Sequence, residues 1–319
     1  MMEHRFKTST YFLTYGPNEP SYHIGSGDVL VSSTVDARGY DSNGVQIPET
    51  MMQNSKETYY DSSNPLVGPF YVEEAEVGDS LAVEIQGISI NRNTAWSGVL
   101  SHFGALTEES RGRYFLLNDP LPENIFQWEL DVEKNLGTME FAHSRRQEIQ
   151  LPLHPFLGCL GVAPPFGRVE PALMPGEFGG NMDCVETKKG ATVFLPVFVK
   201  GGYLAFGDVH AAQGDGEICG VALETTAEVR IRVQVIKNKA IGWPRIEDDE
   251  WIMVAASSRP LMDAFKIAHY ELLNWLTTDY GFDKNEGFQL LSQAGRCRVG
   301  NVVDPNYTVV AKIPKRYVI

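Results

Sequence analysis

Asp208 and His210 stand two positions apart, directly after the apolar, strand-like segment 203–206. If the strand continues, side chains at i and i+2 point to the same face, so this carboxylate and imidazole can bind one ion. Glycines further along allow the backbone to bend sharply and bring Glu217 back toward the pair. The spacing therefore predicts a metal-binding platform. A polar loop with an ordinary exposed histidine is the alternative.

The predicted ligand set is one nitrogen and several carboxylate oxygens. Zn²⁺ fits such a set best, and Mn²⁺ or Ca²⁺ are also compatible with it. We therefore expect a divalent cation as cofactor, with zinc as the first choice.

Two other segments carry acidic side chains beside turn residues. Asp36 and Arg38 follow an apolar strand, where rigid scaffolds usually present functional groups. A surface ion pair between them is the structural alternative. Gly179 and Gly180 precede Asp183, and paired glycines allow close backbone approach to a ligand. A turn stabilised by side-chain hydrogen bonds would explain the same residues.

Glu84 is a carboxylate inside the apolar strand-like segment 80–85. If its face of the strand is buried, the pKa of Glu84 rises and it becomes a candidate general base, whereas on the solvent face it is inert. The chain lacks the Gly-x-Ser-x-Gly, Gly-x-x-x-x-Gly-Lys and His-Glu-x-x-His motifs. The serine hydrolase, nucleotide-binding and zinc protease interpretations therefore lose their main support.

The elements that must position these residues are mostly strands. Up to about residue 255, short apolar or alternating runs are separated by clusters of Gly, Pro, Asn and Asp. Segment 227–235 alternates almost perfectly, which predicts a strand with one buried and one exposed face. Gly27-Asp28 and Gly78-Asp79 each precede a strand, which indicates either a weak internal duplication or common turn chemistry.

A helical period replaces this pattern after residue 255. An apolar stripe from Leu261 through Phe265 to Leu276 predicts a helix over about 259–277, with Ser257 or Ser258 as the N-cap and a proline in the first turn. A second helix is predicted over about 283–294. No linker-like stretch interrupts the chain, so residues 1–319 are interpreted as one β-rich α+β unit.

Composition excludes several classes of function. The formal net charge of -14 repels phosphate backbones and anionic lipids at long range, which argues against nucleic-acid and membrane binding. The sequence has neither a bilayer-length apolar run nor a signal-peptide core, so we expect a cytoplasmic protein. The four cysteines are far apart and are expected to be buried free thiols.

Six ordered blocks of the sequence resemble the acetamidase/formamidase family over nearly the whole chain. They are Gly27-Asp-Val-Leu-Val with Thr34-Val-Asp-Ala-Arg-Gly39, Asn64-Pro-Leu-Val-Gly-Pro-Phe-Tyr-Val-Glu73, Gly78-Asp-Ser-Leu-Ala-Val-Glu-Ile85, Pro155-Phe-Leu-Gly-Cys-Leu-Gly-Val-Ala-Pro-Pro165, Gly179-Gly-Asn-Met-Asp183 and Gly207-Asp-Val-His-Ala-Ala-Gln-Gly-Asp-Gly-Glu217. The closing segments Leu290-Leu-Ser-Gln-Ala and Val302-Val-Asp-Pro are also similar to that family.

This resemblance implies a fold, an activity and a set of site residues. The fold would be β-rich α+β, with two related barrel-like β halves and C-terminal helices. The activity would be hydrolysis of a short amide to a carboxylate and ammonia by a homo-oligomer. The residues that the resemblance raises to site residues are Asp36, Asp183, Asp208, His210 and Glu217.

The mechanism expected from these residues is metal-assisted hydrolysis. The ion would be bound by Asp208 and His210 together with acidic groups among Asp36, Asp183 and Glu217, and would acidify a water molecule. Glu84 or Glu217 would transfer the proton to the departing amine, and the backbone N–H groups of Gly179 and Gly180 would bind the oxyanion.

Two other hypotheses stay open at this point. The acidic cluster could hold a structural ion, most simply calcium, in a non-catalytic binding protein. A metal-free amidase with a buried carboxylate as nucleophile is the third.

Overall fold

The computed structural model describes residues 1–53, 64–100, 103–106 and 121–319. These residues form a β-rich fold with two helices near the C-terminus, which confirms the predicted class. Both large sheets are open, and the expected pair of related barrel-like halves is not confirmed. No helix in the described residues is both long and apolar enough to span a bilayer.

The described strands, in chain order, are β1 (Glu3–Arg5), β2 (Tyr11–Phe12), β3 (Thr14–Tyr15), β4 (Tyr22–Ile24), β5 (Asp28–Ser33), β6 (Met52–Gln53), β7 (Val67–Val72), β8 (Ser80–Ile90), β9 (Thr94–Val99), β10 (Asn124–Asp131), β11 (Leu136–Glu140), β12 (Glu148–Pro152), β13 (Phe156–Gly161), β14 (Glu170–Pro171), β15 (Gly179–Asn181), β16 (Thr192–Pro196), β17 (Leu204–His210), β18 (Glu224–Thr225), β19 (Ala227–Ile236), β20 (Arg245–Glu247), β21 (Trp251–Ser258), β22 (Arg296–Val299) and β23 (Tyr307–Pro314). The helices are α1 (Leu261–Tyr280) and α2 (Lys284–Ala294).

Two large sheets contain most of these strands. The first has the order β1-β5-β19-β8-β16-β20-β21-β23-β22. The second follows the path β12-β11-β10-β9-β18-β17-β13-β15, with β7 beside β17 and β4 beside β7. Buried side chains from both sheets share the main hydrophobic core, among them Ile231 of the first sheet and Phe206 of the second. The sheets therefore pack against each other through their apolar faces.

Strand β19 shows how the sequence pattern sets the faces of the first sheet. Val229, Ile231 and Val233 are fully buried, while the residues between them are partly or fully exposed. This arrangement confirms the predicted alternation.

The two Gly-Asp turns have the same local geometry. Asp28 Oδ2 accepts a hydrogen bond from the backbone N–H of Gly25, and Asp79 Oδ2 accepts one from Glu76. In both turns the glycine before the aspartate has a positive φ, 89° at Gly27 and 93° at Gly78. The likeness is local turn chemistry repeated before β5 and β8.

Helix α1 packs on β21 and β23, and its start corrects the predicted cap. Ser257 and Ser258 belong to β21 because this strand continues in register with β23, and Ser257 Oγ lies 2.9 Å from Thr308 Oγ1. Pro260 is therefore the N-cap residue, without a side-chain cap. Phe265 is 41% exposed, because the buried stripe passes through Ala264 instead.

Helix α2 begins as predicted. The side chain of Asp283 accepts hydrogen bonds from the backbone N–H groups of Asn285 and Glu286, which caps the helix.

The cysteines match the prediction in part. Cys159 and Cys184 are buried free thiols, whereas Cys219 and Cys297 are exposed. Cys219 lies in the loop before β18, and Cys297 lies on β22 at the end of the first sheet.

Candidate metal centre

Strand β17 delivers Asp208 and His210 to one point, as their spacing predicts. His210 Nε2 lies 3.3 Å from Asp208 Oδ2, and both side chains are buried. Asp208 has a φ of 54°, in the left-handed region that is costly for a residue with a side chain. Strained backbone of this kind clusters at functional sites, where surrounding structure holds it in place.

Gly158 on the neighbouring strand β13 leaves the space in front of these side chains. A Cβ atom at position 158 would lie 2.6 Å from Asp208 Oδ2, 2.8 Å from Asp183 Oδ1 and 2.9 Å from His210 Cε1. Two ligand oxygens and the imidazole therefore surround a cradle that the smallest residue keeps open.

Asp183 and Glu217 complete the set that the sequence predicted in this region. Ligand atoms of Asp183, Asp208 and His210 all lie within 4.8 Å of one another. Ligand atoms of His210, Glu217 and Glu224 form a second group, and they also lie within 4.8 Å of one another. We call these five residues and Asp304 the carboxylate cluster.

Two members of this cluster, Glu224 and Asp304, were not predicted from the sequence. Glu224 is on β18 directly opposite His210, and its Oε1 lies 3.4 Å from His210 Nε2. Asp304 is held through the side-chain amide of Asn181. The sequence carried one signal for each residue. Glu224 follows the apolar run Val221-Ala-Leu, and Asp304 lies in the Val-Asp-Pro segment that resembles the family.

Side-chain amides hold the carboxylates in place. Asn181 Nδ2 donates to Asp183 Oδ2 at 2.9 Å and to Asp304 Oδ2 at 2.8 Å, while Asn64 Nδ2 donates to Asp208 Oδ2 at 3.0 Å. These amides are themselves buried and joined to each other at 3.1 Å. Neutral donors fix the orientation of the carboxylates without neutralising their charge.

Gln213 determines which ring nitrogen of His210 faces the cluster. Gln213 Nε2 donates to the backbone carbonyls of Asp183 and Gly300, so its Oε1 is the atom 2.9 Å from His210 Nδ1. An oxygen acceptor there requires Nδ1 to carry a proton. In the neutral ring, Nε2 then presents its lone pair to the carboxylates, which is the arrangement of a metal-binding histidine.

The cluster concentrates negative charge in a buried volume. Burial raises the pKa of Asp183 and Glu224 well above the usual range; the neighbouring carboxylates add to this shift, and at Glu224 His210 offsets part of it. Burial likewise raises the pKa of Glu217 to about 8 and that of Asp304 to about 7. Burial lowers the pKa of His210, but Glu224 and Asp208 outweigh it and raise that pKa well above its ordinary value.

A divalent cation fits the residues present. Asp183 Oδ1, Asp208 Oδ1 and Glu224 Oε2 are buried and have no hydrogen-bond partner in the described structure. Within the described ranges, no lysine or arginine forms an ion pair with the five carboxylates. Unpaired buried carboxylates are costly unless protons or cations neutralise them. One imidazole nitrogen and several oxygens around the Gly158 cradle match the donors that zinc accepts.

Asp36 has a different environment from the predicted one. Its Oδ1 accepts hydrogen bonds from the backbone N–H groups of Arg38 and Tyr40, and its Oδ2 lies 3.0 Å from Arg92 Nη1. Both oxygens are already used, and none of the described contacts joins Asp36 to the carboxylate cluster. The described structure therefore does not bring Asp36 to the carboxylate cluster, and Asp36 stabilises a turn instead. The alternative of a surface pair with Arg38 is also not observed, because Asp36 is buried and pairs with Arg92.

Glu84 lies on the half-exposed face of β8. Its Oε2 lies 2.7 Å from Arg232 Nε, and its side chain is 37% exposed. The burial on which its candidacy as a base depended is not observed, so the structure does not bring Glu84 to the site.

Gly179 and Gly180 act through packing. The Gly179 N–H donates to Gly176 O at 3.0 Å, so this group cannot also bind an oxyanion. A Cβ would lie 2.4 Å from Leu160 O at position 179 and 2.2 Å from Met174 O at position 180. Their role in the described structure is close backbone approach, which places Asn181 and Asp183.

Residues 170–318 match the model of the acetamidase/formamidase family. The chain is 37% identical to an acetamidase of known crystal structure from Yersinia enterocolitica, with a TM-score of 0.84 over 99% of this chain and 93% of that one. An acetamidase structure from Bacillus halodurans is 30% identical, with a TM-score of 0.81 and 98% of both chains covered.

Two sequence relatives match over shorter stretches. A putative formamidase from Schizosaccharomyces pombe is 29% identical over 219 residues, which cover 54% of this chain and 52% of the relative. A formamidase from Methylophilus methylotrophus is 47% identical over 66 residues, which cover 20% of this chain and 16% of the relative. The matched part of the chain thus spans about half, or less, of these relatives' length.

Proposed function

Because the chain belongs to the acetamidase/formamidase family, we propose that it hydrolyses short amides such as formamide or acetamide to a carboxylate and ammonia. We further propose that this reaction depends on a divalent cation bound at the carboxylate cluster. The observation that supports this second proposal is the buried set of unpaired carboxylate oxygens around His210 and Gly158.

Asp183, Asp208 and His210 are the residues proposed to hold the cation. When bound, the cation supplies a Lewis acid that polarises the amide carbonyl and acidifies water. Gln213 keeps the histidine proton on Nδ1, so that Nε2 stays available as a ligand. Asn64 and Asn181 hold the two aspartates in fixed positions, which reduces the reorganisation needed when the cation binds.

Glu217 is proposed to move the proton. Its carboxylate belongs to the same group as His210 and is buried. Burial raises the pKa of Glu217 to about 8, and the charge of a bound cation would lower it, so that the ionised form can accept a proton from the attacking water. Amide nitrogen leaves poorly unless it is protonated, and Glu217 would deliver that proton as the C–N bond breaks. One water is consumed, and the products are one carboxylic acid and one ammonia, which leave as a carboxylate and an ammonium ion at neutral pH. Zinc as the specific metal, a homo-oligomeric state and a cytoplasmic location stay predictions.

Ammonia release from formamide and acetamide, with and without a chelator, tests the proposal. We expect turnover that is lost after chelation and restored by Zn²⁺. Metal analysis of the purified protein should find about one or more equivalents of a divalent cation.

Other outcomes separate the hypotheses. Turnover that survives complete metal removal would contradict the metal-dependent mechanism but not the amidase activity. Bound calcium without turnover of any short amide would favour a binding protein instead.

A further inference from the structure

Trp96 belongs to a cross-strand row that leads directly out of the carboxylate cluster. His210 on β17 lies opposite Glu224 on β18, and Glu224 lies opposite Trp96 on β9. Directly opposed residues of antiparallel strands share one face of the sheet, and neighbouring strands are about 4.8 Å apart. The Trp96 side chain therefore stands beside the Glu224 carboxylate, one strand away from it.

The residues that precede Trp96 and Glu224 in the chain show which face this is. Ala95 and Leu223 both point to the other face, where they pack in a separate hydrophobic cluster. Trp96 lies on the face of the candidate site and is only 8% exposed. Its Nε1–H nevertheless has no hydrogen-bond partner in the part of the chain that the structure describes. Buried indole N–H groups usually have a partner, so an unpaired one beside a polar cluster requires an explanation.

Arg38 packs over the face of the Trp96 indole ring. Its guanidinium carbon lies 4.1 Å from the centroid of the Trp96 ring, a cation–π contact. The turn that presents Arg38 is held by Asp36, which binds the Arg38 and Tyr40 N–H groups and pairs with Arg92. The Asp36-Ala-Arg38 segment therefore has a role other than metal ligation: Asp36 holds the turn, and Arg38 contacts the indole.

We propose that the Trp96 indole N–H donates a hydrogen bond to the carbonyl oxygen of the amide substrate, and that Arg38 and Asp36 position the indole for it. This inference rests on the proposed hydrolysis of short amides. It assigns to Trp96 the oxyanion contact that Gly179 cannot make, because the Gly179 N–H is already bonded. A preorganised donor aimed at the oxygen strengthens its bond as negative charge develops there.

Trp96→Phe removes the N–H while keeping an aromatic ring under Arg38. Loss of one oxyanion donor costs about 10²–10³-fold in kcat in other enzymes, so we expect kcat/KM for acetamide to fall by about 10²-fold. Trp128→Phe is the matched control. Trp128 is equally buried, and its Nε1 donates to Ser97 Oγ at 2.9 Å, but it belongs to the cluster on the other face. This control should keep kcat/KM within about threefold.

Arg38 is tested as a positioning residue. Arg38→Gln should lower kcat/KM less than Trp96→Phe does, and Arg38→Lys should restore part of the loss because an ammonium also makes a cation–π contact. Arg38→Gln in the Trp96→Phe background should then cause little further loss, since both changes act on one hydrogen bond.

Indole ¹H–¹⁵N spectra with acetamide give a readout that does not need turnover. The Trp96 resonance, identified by its absence in Trp96→Phe, should move as acetamide is titrated, while the Trp128 resonance stays fixed. Unchanged kcat/KM in Trp96→Phe, or a Trp96 resonance that ignores saturating acetamide, overturns the inference and leaves the amidase proposal standing. Absence of ammonia release by the wild type refutes the proposed function instead, and the titration then decides whether Trp96 binds the amide.

Discussion

Asp79 and Asp208 are each 3% exposed, yet their carboxylates have opposite surroundings. Asp79 Oδ1 accepts a hydrogen bond from the Asn238 N–H, and its Oδ2 accepts from the Glu76 N–H and from the Lys237 ammonium. Asp208 Oδ2 has Asn64 and His210 beside it, and its Oδ1 has no hydrogen-bond partner within the described ranges. Burial is equal, but only Asp79 has hydrogen bonds to both of its oxygens and a lysine as its ionic partner.

This difference separates acids that stabilise the fold from those of the proposed cation site. Asp28 resembles Asp79, because it accepts two backbone N–H groups and lies 2.9 Å from His4 Nε2. Asp36 belongs to the same class, with Arg92 as its cation. A fold gains stability from an acid whose hydrogen bonds and charge are satisfied. The carboxylate cluster gains such stability only when a cation or protons neutralise its charges.

The largest expected effect is that of His210→Ala, which removes the one nitrogen donor of the cluster. Turnover of acetamide should fall by about 10³-fold or more, because the proposed cation both activates water and polarises the carbonyl. Zinc occupancy should fall more than calcium occupancy, since the remaining donors are all oxygens. Ammonia release, metal analysis and a thermal melt measure the three effects.

His143→Ala is the control for that variant, because His143 is exposed on the turn between β11 and β12. It should match the wild type in every assay. A folded His210→Ala protein with near wild-type turnover would remove the metal-centred mechanism.

Gly158→Ala tests the cradle with a single methyl group. Because that methyl would lie within 2.9 Å of three cluster atoms, the ligands must shift, and a misplacement of this size can cost about 10²-fold in rate. Gly87→Ala is the matched control, since Gly87 is also in a strand and its Cβ would meet only Arg230 Cβ at 3.8 Å. If Gly158→Ala keeps full activity and metal content, the cation does not sit in this cradle.

Local patterns made part of this site predictable. Asp208 and His210 are on one strand, so their common face follows from a period of two. The extent of α1 and α2 follows in the same way from the helical period. The parts that sequence analysis missed depend on pairing between distant segments. Glu224 reaches His210 only because β18 pairs with β17.

Two residues that the sequence suggested for a role do not have that role in the structure, again because of contacts between distant segments. Ser257 is an excellent cap by residue type, but the pairing of β21 with β23 keeps it in the sheet. Asp36 has a carboxylate that could bind a metal, and only the fold shows that this carboxylate pairs with Arg92. A sequence indicates which side chains can do chemistry, whereas the balance of their charges is a tertiary property.

Exchanging the carboxylates at positions 79 and 208 for amides should separate stability from activity. Asp79→Asn should lower the free energy of unfolding by about 1–3 kcal/mol, because it removes the charge that Lys237 pairs with and replaces an acceptor by a donor. In metal-free protein, Asp208→Asn should lower that free energy less than Asp79→Asn does, because it relieves repulsion among the buried carboxylates even though His210 loses one acidic neighbour.

Activity should show the reverse pattern, with turnover lost in Asp208→Asn and kept in Asp79→Asn. Urea unfolding and ammonia release on the same preparations check both. Equal destabilisation by the two substitutions would mean that the cluster charges are compensated without a cation.

The smallest expected effect is the pH dependence of the Asp79 contribution. Burial alone would raise the pKa of Asp79, but hydrogen bonds from Lys237, Glu76 and Asn238 outweigh it and lower that pKa below its ordinary value. A lowered folded-state pKa means that the stabilisation is complete above the unfolded-state pKa, about 3.9, and is lost as the pH falls through the folded value. The difference in unfolding free energy between wild type and Asp79→Asn should therefore be constant above about pH 5 and shrink below about pH 4. Asp249→Asn, at an exposed aspartate, provides the baseline and should differ little from the wild type at any pH. Urea unfolding of the three proteins between about pH 3 and pH 7 measures these differences. If the difference in unfolding free energy between wild type and Asp79→Asn grows as the pH falls, Asp79 is protonated more easily in the folded chain than in the unfolded one, which contradicts the prediction.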